Sequence, residues 1–214
     1  MLRLCFIGLA APLWLSAGHA LACAPLTQSV RVSLPEPQVS VETGLDPGRH
    51  HWPRPINDTA FGVVNGLTLV GAKGQIEASV TTAAEQSGLC IAHVDFVVGL
   101  PFDAPVRILM REQLDPSSCA YAAVYAHEQH HVQISKEARR IAAGQAADEI
   151  AAYAHQIALG HMNEMGVSDE ISRFNKLIND RMMNYYGRMA DQWNATIDSP
   201  QSYRALQAQC NDWR

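Results

Sequence analysis

The stretch from Ser117 to Leu159 constrains the fold more than any other part of the chain. It contains no proline, has Gly144 as its single glycine, and consists largely of good helix formers. Asp115 and Pro116 directly precede it and, with Ser117, give a helix start signal, because proline is tolerated in the first turn of a helix. The pattern therefore predicts one long helix that ends near Gly160.

A second helix is predicted after a turn near residues 161–167. Ser168 is a suitable N-cap residue, and Pro200 marks the end of the helical pattern. Apolar residues recur close to the 3.6-residue period at Ile171, Phe174, Ile178, Met182, Tyr185 and Met189. The two helices are expected to form an antiparallel hairpin over residues 117–198.

Four β-rich runs separated by turn residues lie within residues 61–110 and predict a small sheet. Alternation in the third run puts His93 on the solvent face with Asp95, and Val94 on the opposite face. Sheet first and helical hairpin second is the order of an α+β protein. We expect a small, mostly antiparallel N-terminal sheet, followed by a long active-site helix and a second, antiparallel helix.

Residues 1–22 are typical of an export signal. Arg3 supplies a positive charge, an apolar stretch follows, and small residues precede a cleavage site after Ala22. We expect a periplasmic or secreted protein with no membrane-spanning segment once the signal is removed. Residues 23–60 are predicted to be a proline-rich extended segment, so the main domain spans residues 61–214.

Four cysteines remain after signal removal, and an even number fits complete pairing in an oxidising compartment. They are Cys23, Cys90, Cys119 and Cys210. We expect the pairs Cys90–Cys119 and Cys23–Cys210, although four cysteines allow three pairings. Cys23 directly follows the cleavage site, so a lipid anchor on Cys23 is the alternative; it would leave one other cysteine unpaired.

The charge pattern narrows the choice of partners. The chain carries 16 Lys and Arg against 21 Asp and Glu, which gives a formal net charge of −5. Because the sequence has no run of basic residues, nucleic acid and anionic membrane surfaces are not expected as partners.

His127, Glu128 and His131 form an H-E-x-x-H motif inside the predicted long helix. Residues four apart lie on the same helix face, so the two histidines present their imidazoles to one point, as zinc capture requires. Glu128 is rotated from them by about 100° and can take a proton from a water that the ion activates. His130 points away from the pair and is expected to be a bystander.

The motif predicts Zn²⁺ as the cofactor and a peptide or protein as the substrate. The strand before the long helix is expected to act as a rail, giving main-chain hydrogen bonds to an extended peptide.

A zinc site of this type needs a third protein ligand, and acidic residues of the second helix are candidates. If the hairpin turns near residues 161–167, simple mirroring brings Asp191 and Asp198 closest to the level of His131. Asp191 is our first choice. Asp180 lies farther back and would require a shorter first helix.

Glu149 is the remaining candidate for the third ligand. It lies 18 residues after His131, which is about 27 Å on an unbroken helix. It reaches the histidines only if the helix turns back near Gly144.

Glu128 and His131 also have the Glu-x-x-His spacing that di-iron helical bundles use. Those bundles need two such motifs. No second Glu-x-x-His occurs in the chain, so a di-iron site is not expected.

The motif lies within YAHEQHHVQISKEARRI, and three further segments accompany it, namely GLTLVGAKGQI, IAHVDFVVGLP and DQWNATI. With these segments, the export signal, and cysteines before the third β-run and before the helix, the chain resembles a bacterial family of predicted secreted zinc-dependent proteases. The resemblance covers roughly residues 62–198. It implies a zincin-like metallopeptidase fold, with His127 and His131 on zinc and Glu128 as the catalytic base.

The leading functional hypothesis is therefore an exported zinc metallopeptidase that hydrolyses peptide bonds with an activated water. Two alternatives remain open. One is an exported protein that binds zinc but is catalytically inactive, and the other is a partner-binding helical-hairpin protein held by disulfides.

Overall fold

The computed structural model describes residues 27–45, 65–85, 88–157 and 164–213. The strands are β1 (Thr27–Ser33), β2 (Val39–Leu45), β3 (Gly66–Leu69), β4 (Gln75–Glu85), β5 (Gly88–Gly99) and β6 (Val106–Arg111). The helices are α1 (Cys119–Ile157), α2 (Glu164–Ile197) and α3 (Pro200–Gln207). The chain is α+β, as the sequence predicts. The expected export signal, Cys23 and the cleavage site lie outside the described residues.

The strands form two three-stranded sheets, and each sheet mixes parallel and antiparallel pairs. In the first sheet β5 is central, parallel to β1 and antiparallel to β4. In the second sheet β6 is central, parallel to β2 and antiparallel to β3. The expectation of a mostly antiparallel sheet is therefore wrong, because β1 and β2 both pair in parallel with strands that come much later in the chain.

The proline-rich N-terminal segment contributes one strand to each sheet. Val30 and Val32 alternate as a strand requires, and the pattern resumes at Val39 after a link that contains Pro35 and Pro37. Prolines cannot donate to a sheet ladder, so they separate the two strands. Part of the segment expected to be a separate extension is thus built into both sheets.

The central position of β6 affects the expected substrate rail. Both edges of β6 are paired, one with β2 and one with β3. The strand before the long helix therefore has no edge left for an extended peptide, contrary to expectation.

The alternation predicted for the third β-run is present in β5. Val94 is buried, whereas His93 and Asp95 are partly exposed on the other face. There His93 Nε2 lies 3.0 Å from Asp95 Oδ1, and His93 Nδ1 lies 2.8 Å from the hydroxyl of Thr27.

The helices differ in how closely they follow the predicted boundaries. Ser118 is the N-cap of α1, because its Oγ accepts a hydrogen bond from the backbone N–H of Tyr121 at 3.0 Å. α1 then continues without a break past Gly144. α2 begins at Glu164, so Ser168 lies inside the helix and is not its N-cap. No helix in the described ranges is long and apolar enough to cross a membrane.

α1 covers both sheets and so takes part in two hydrophobic cores. On the second sheet its first third packs with the strand and loop residues Val106, Ile108, Met110 and Leu114. On the first sheet its later part packs, together with α2, on Val94, Phe96, Val98 and Leu100. The predicted apolar stripe of α2 supplies Phe174, Ile178 and Met182 to this core.

A buried guanidinium on α1 joins the two sheets. Arg139 is 2% exposed. Its Nε donates to the carbonyl oxygen of Leu100 at 2.5 Å, and its Nη2 donates to that of Pro35 at 3.2 Å. The guanidinium carbon lies 3.8 Å from the ring centre of Phe102. Pro35 lies in the link from β1 to β2, and Leu100 and Phe102 lie in the link from β5 to β6, so one side chain ties both links to α1.

A disulfide between Cys119 and Cys210 fastens the end of the chain to the start of α1. It contradicts the predicted pairs Cys90–Cys119 and Cys23–Cys210. The two cysteines are 91 residues apart in sequence. They meet because the chain after α3 returns to the start of α1. Asp212 adds to this closure, because its carboxylate accepts hydrogen bonds from the first two backbone N–H groups of α1 at 3.0 and 3.1 Å.

The disulfide also predicts how the remaining cysteines pair. With Cys119 and Cys210 joined, parity leaves Cys23 and Cys90 for each other. Mass spectrometry of a non-reduced digest of the exported protein should find both linked peptides, and both should disappear on reduction. A peptide that links Cys90 to Cys119 would contradict this pairing, and a free Cys90 thiol would indicate a lipid-modified Cys23.

Arg139→Met should lower the free energy of unfolding by about 3 kcal/mol, because two carbonyl oxygens lose a charged donor. Urea unfolding followed by circular dichroism measures the change. The matched control is Arg140→Met, which removes the neighbouring exposed guanidinium that lies 2.6 Å from Glu137. This control should leave the unfolding midpoint close to wild type. Equal losses in both variants would rule out the role assigned to Arg139.

Candidate metal centre

His127 and His131 lie one turn apart on α1 and face the C-terminal end of α2. Their side chains are 8% and 13% exposed. The ring centres are 5.0 Å apart, with the planes nearly perpendicular at 83°. The four-residue spacing on a continuous helix thus brings two imidazoles to one place.

Asp198 completes a cluster with the two histidines. Its Oδ1 lies 3.2 Å from His127 Nε2 and 3.2 Å from His131 Nε2. One ligand atom from each of the three residues lies within 4.8 Å of the other two. Asp198 directly follows α2, and its backbone N–H donates to the carbonyl oxygen of Asn194 at 2.8 Å. The end of the helix therefore fixes where this carboxylate sits.

The spacing of the three atoms fits a zinc ion. In a tetrahedral site with ligand distances of about 2.0–2.2 Å, neighbouring ligand atoms are about 3.4 Å apart. The two nitrogen-to-oxygen distances of 3.2 Å are close to this value. Two imidazole nitrogens and one carboxylate oxygen also match the ligand types of catalytic zinc sites, which keep a further position open.

His131 is held in the tautomer that a metal ligand needs. Its Nδ1 lies 2.8 Å from the side-chain oxygen of Asn194. An amide oxygen only accepts, so Nδ1 carries the ring proton and Nε2 turns a lone pair towards Asp198. A lone pair and a carboxylate oxygen at 3.2 Å repel unless a cation, either a proton or a metal ion, lies between them.

The pKa of His131 reflects the same surroundings. Burial lowers the pKa of His131, but the hydrogen bond and charge of Asp198, together with the contact to Asn194, raise it overall. The site therefore favours a positive charge at His131 Nε2.

Tyr203 of α3 supports the carboxylate of Asp198. Its hydroxyl donates to Asp198 Oδ1 at 3.1 Å, and its ring centre is 5.3 Å from that of His127. Burial and the charge of Asp198 raise the pKa of Tyr203, so the phenol stays protonated and remains a donor. Burial raises the pKa of Asp198, but the contacts with His127 and His131 outweigh it and hold that pKa well below its usual range.

Glu128 lies beside this cluster, between α1 and β3, and is 4% exposed. Its Oε2 accepts a hydrogen bond from the hydroxyl of Thr68 at 2.8 Å. Burial raises the pKa of Glu128, and the nearby His131, the Thr68 hydroxyl and His127 only partly oppose this. A carboxylate with a raised pKa accepts a proton near neutral pH more readily than an exposed one.

The structure does not bring Asp191, the first choice for the third ligand, to the histidines. Asp191 lies on the same stripe of α2 as Asp198, but seven residues earlier, which is about 10 Å along the axis. There its charge adds to the effect of burial, which raises the pKa of Tyr186, and the Tyr186 hydroxyl lies 2.8 Å from that of Ser135. The hairpin register, set by contacts between side chains of both helices, thus selects Asp198 over Asp191.

The other candidates also lie away from the cluster. Asp180 and Glu149 each pair with a cation of α2, at 3.2 and 3.1 Å. Because α1 does not break at Gly144, Glu149 stays about 27 Å along the axis from His131. His130 is exposed, in line with its expected bystander position.

Three residues that contact the cluster or Glu128 were not predicted from the sequence, namely Asn194, Tyr203 and Thr68. Asn194 and Asp198 are four residues apart, as the two histidines are, and this matching spacing was a usable signal for two facing pairs. Thr68 comes from β3 and Tyr203 from α3, and neither position carries a local signal of its contact.

Comparison with protein-family profiles, with curated proteins and with solved structures found no match to this chain.

The geometry predicts which carboxylate holds a metal. Asp198→Asn should weaken zinc binding by more than about 100-fold, because loss of a mere outer-shell partner already costs about 10–100-fold. Asp191→Asn, the matched change two turns earlier, should leave the affinity close to wild type. Competition with a chelating dye measures both affinities. Weaker binding in Asp191→Asn with normal binding in Asp198→Asn would refute the cluster as the metal site.

Proposed function

We propose that the chain is an exported zinc-dependent metallopeptidase with a zincin-like active site. The observation that carries this proposal is the shared carboxylate oxygen: Asp198 Oδ1 lies 3.2 Å from Nε2 of both His127 and His131. Glu128, the residue after His127, is a buried carboxylate whose pKa is raised by burial and is influenced by the charges of all three residues. Three ligand atoms next to a basic carboxylate are the parts that metal-assisted hydrolysis requires.

His127, His131 and Asp198 would hold the metal ion. When bound, zinc lowers the pKa of a coordinated water towards neutrality and polarises the carbonyl group under attack. Asn194 orients the ring of His131, and Tyr203 keeps the oxygen of Asp198 in place. These two residues therefore support the ligands and do not take part in the proton transfer themselves.

Glu128 would move the proton. Its carboxylate takes a proton from the attacking water and then delivers it to the leaving amine nitrogen, which completes peptide-bond cleavage. Burial supports this role, because a carboxylate with a raised pKa is a better proton acceptor than an exposed one. The hydrogen bond from Thr68 keeps the side chain from turning into the core.

The substrate would be an extended peptide bound along β3. This strand pairs with β6 on one side, and its other edge has no partner strand among the described residues. β3 also contacts α1 at Glu128, so a peptide added to its edge would pass close to the three ligands. Such an edge supplies main-chain hydrogen bonds that do not depend on peptide sequence.

Export to an oxidising compartment agrees with the disulfide. The Cys119–Cys210 bond connects residues 91 positions apart and fastens the segment that follows α2. Bonds of this kind persist in the periplasm and outside the cell and are rare in a reducing cytoplasm.

Glu128→Gln tests the proposal most directly. The variant should retain one zinc per chain, because Glu128 is not a ligand, and should lose activity on an unfolded protein substrate by roughly 10²–10⁴-fold. Product formation is followed by mass spectrometry, and zinc by elemental analysis. Glu137→Gln, an exposed change on the same helix, is the matched control and should keep full activity.

The results also separate the alternatives. Zinc bound by wild type without cleavage of any peptide in a broad library would favour a zinc-binding, catalytically inactive protein. Wild type that binds no zinc would favour a partner-binding helical-hairpin protein. Full activity in Glu128→Gln would refute Glu128 as the base.

A further inference from the structure

β3 contacts α1 at the H-E-x-x-H motif. Gly66 and Thr68 are two residues apart, so they face the same side of the strand. Both meet Glu128: Thr68 through a hydrogen bond, and Gly66 through close approach of its backbone. The two residues thus form a short G-x-T sequence that lies against the proposed base.

The hydroxyl of Thr68 touches two oxygens of the same residue. It lies 2.8 Å from Oε2 of Glu128 and 3.0 Å from its backbone carbonyl oxygen. The terminal torsion of a glutamate has only a broad, weak preference of its own, so an outside partner must set the plane of the carboxylate. Thr68 ties that plane to the backbone of the helix that carries the two histidines.

Gly66 lies close to Oε1, the other oxygen of the Glu128 carboxylate. A Cβ added at Gly66 would lie 2.7 Å from Oε1 and 2.8 Å from Cγ of Glu128, and 2.6 Å from Cγ1 of Val124. Real Cβ atoms do not approach other atoms this closely, so any side chain here would push Glu128 away. The absent side chain lets the backbone of β3 lie against Glu128 near Oε1, the oxygen that Thr68 does not hold.

We propose that β3 sets the orientation of the Glu128 carboxylate for proton transfer. Thr68 holds Oε2, and Gly66 allows the close approach of β3 that brings Thr68 to this carboxylate. Both are positioning residues, because they act through Glu128 and do not touch the reacting atoms. The inference rests on the proposed function and names two further residues that it depends on.

Thr68→Val tests the hydroxyl, because valine keeps the shape and loses the hydrogen bond. In the zinc-loaded protein, kcat for a cleaved peptide should fall roughly 10–100-fold, while KM and zinc content stay near wild type. Thr68→Ser keeps the hydroxyl and should restore most of kcat. Thr82→Val, an exposed change on β4, is the matched control and should change neither constant.

Gly66→Ala tests the close approach of β3 to Glu128. It should lower kcat at least as much as Thr68→Val, because the added methyl group displaces the carboxylate. Gly144→Ala is the matched control, since a Cβ added at Gly144 meets nothing within 4 Å. It should keep wild-type kcat.

A readout without activity checks the contact itself in metal-free protein. Thr68→Val should lower the melting temperature by roughly 2–6 °C, because Glu128 loses its donor. In a Glu128→Met background, the same change should have a clearly smaller effect, because only the contact with the backbone carbonyl oxygen of residue 128 remains to be lost. Equal shifts in both backgrounds would overturn the inference.

The kinetic outcomes separate this inference from the proposed function. Active wild type with unchanged kcat in Thr68→Val, or equal losses in Thr68→Val and Thr68→Ser, overturns the role of β3 alone. A rise in KM without a fall in kcat does the same. Zinc-loaded wild type that cleaves nothing overturns the proposed function, and the role of β3 in hydrolysis falls with it.

Discussion

The buried guanidinium of Arg139 is the interaction on which the arrangement of the two sheets depends. It donates to a carbonyl in each of two of the three links that cross from one sheet to the other. Because β1 and β5 lie in one sheet and β2 and β6 in the other, these links are where the sheets would separate. A guanidinium suits this position, since its rigid fork of donors can serve two carbonyl groups at once. α1 can therefore cover both sheets as one continuous helix.

The candidate site depends in turn on how α1 meets α2. Two pairs of residues, each spaced by one helical turn, face each other: His127 and His131 on α1, and Asn194 and Asp198 at the end of α2. A shift of one turn between the helices would separate both pairs. The Cys119–Cys210 disulfide fastens the chain that follows α2, and the hydroxyl of Tyr203 donates a hydrogen bond to Asp198. The position of Asp198 therefore does not depend on the last turn of α2 alone.

Features that lie within one helix or strand could be predicted from the sequence. Features that depend on how two elements are aligned with each other could not. Helix periodicity predicted the two long helices and the shared face of His127 and His131, because both follow from spacing within one element. Whether Asp198 or Asp191 lies beside the histidines depends on the register between the two helices. The sequence of either helix alone does not determine this register. The parallel pairing of β1 and β2, and the Cys119–Cys210 bond, likewise join residues far apart in the chain. Alternation alone does not determine their partners.

The cluster links the proposed metal to the stability of the fold. In the neutral ring, His131 Nε2 faces Asp198 Oδ1 with its lone pair, and the two atoms at 3.2 Å then need a cation between them to offset their repulsion. A proton on His131 meets that need at one contact, whereas a zinc ion would bond to all three ligand atoms together. The ligands come from two helices and meet only in the folded chain. Zinc would therefore favour the folded state and the hairpin register that places Asp198 beside the histidines. The register that creates the site would then be stabilised by the ion that the site binds.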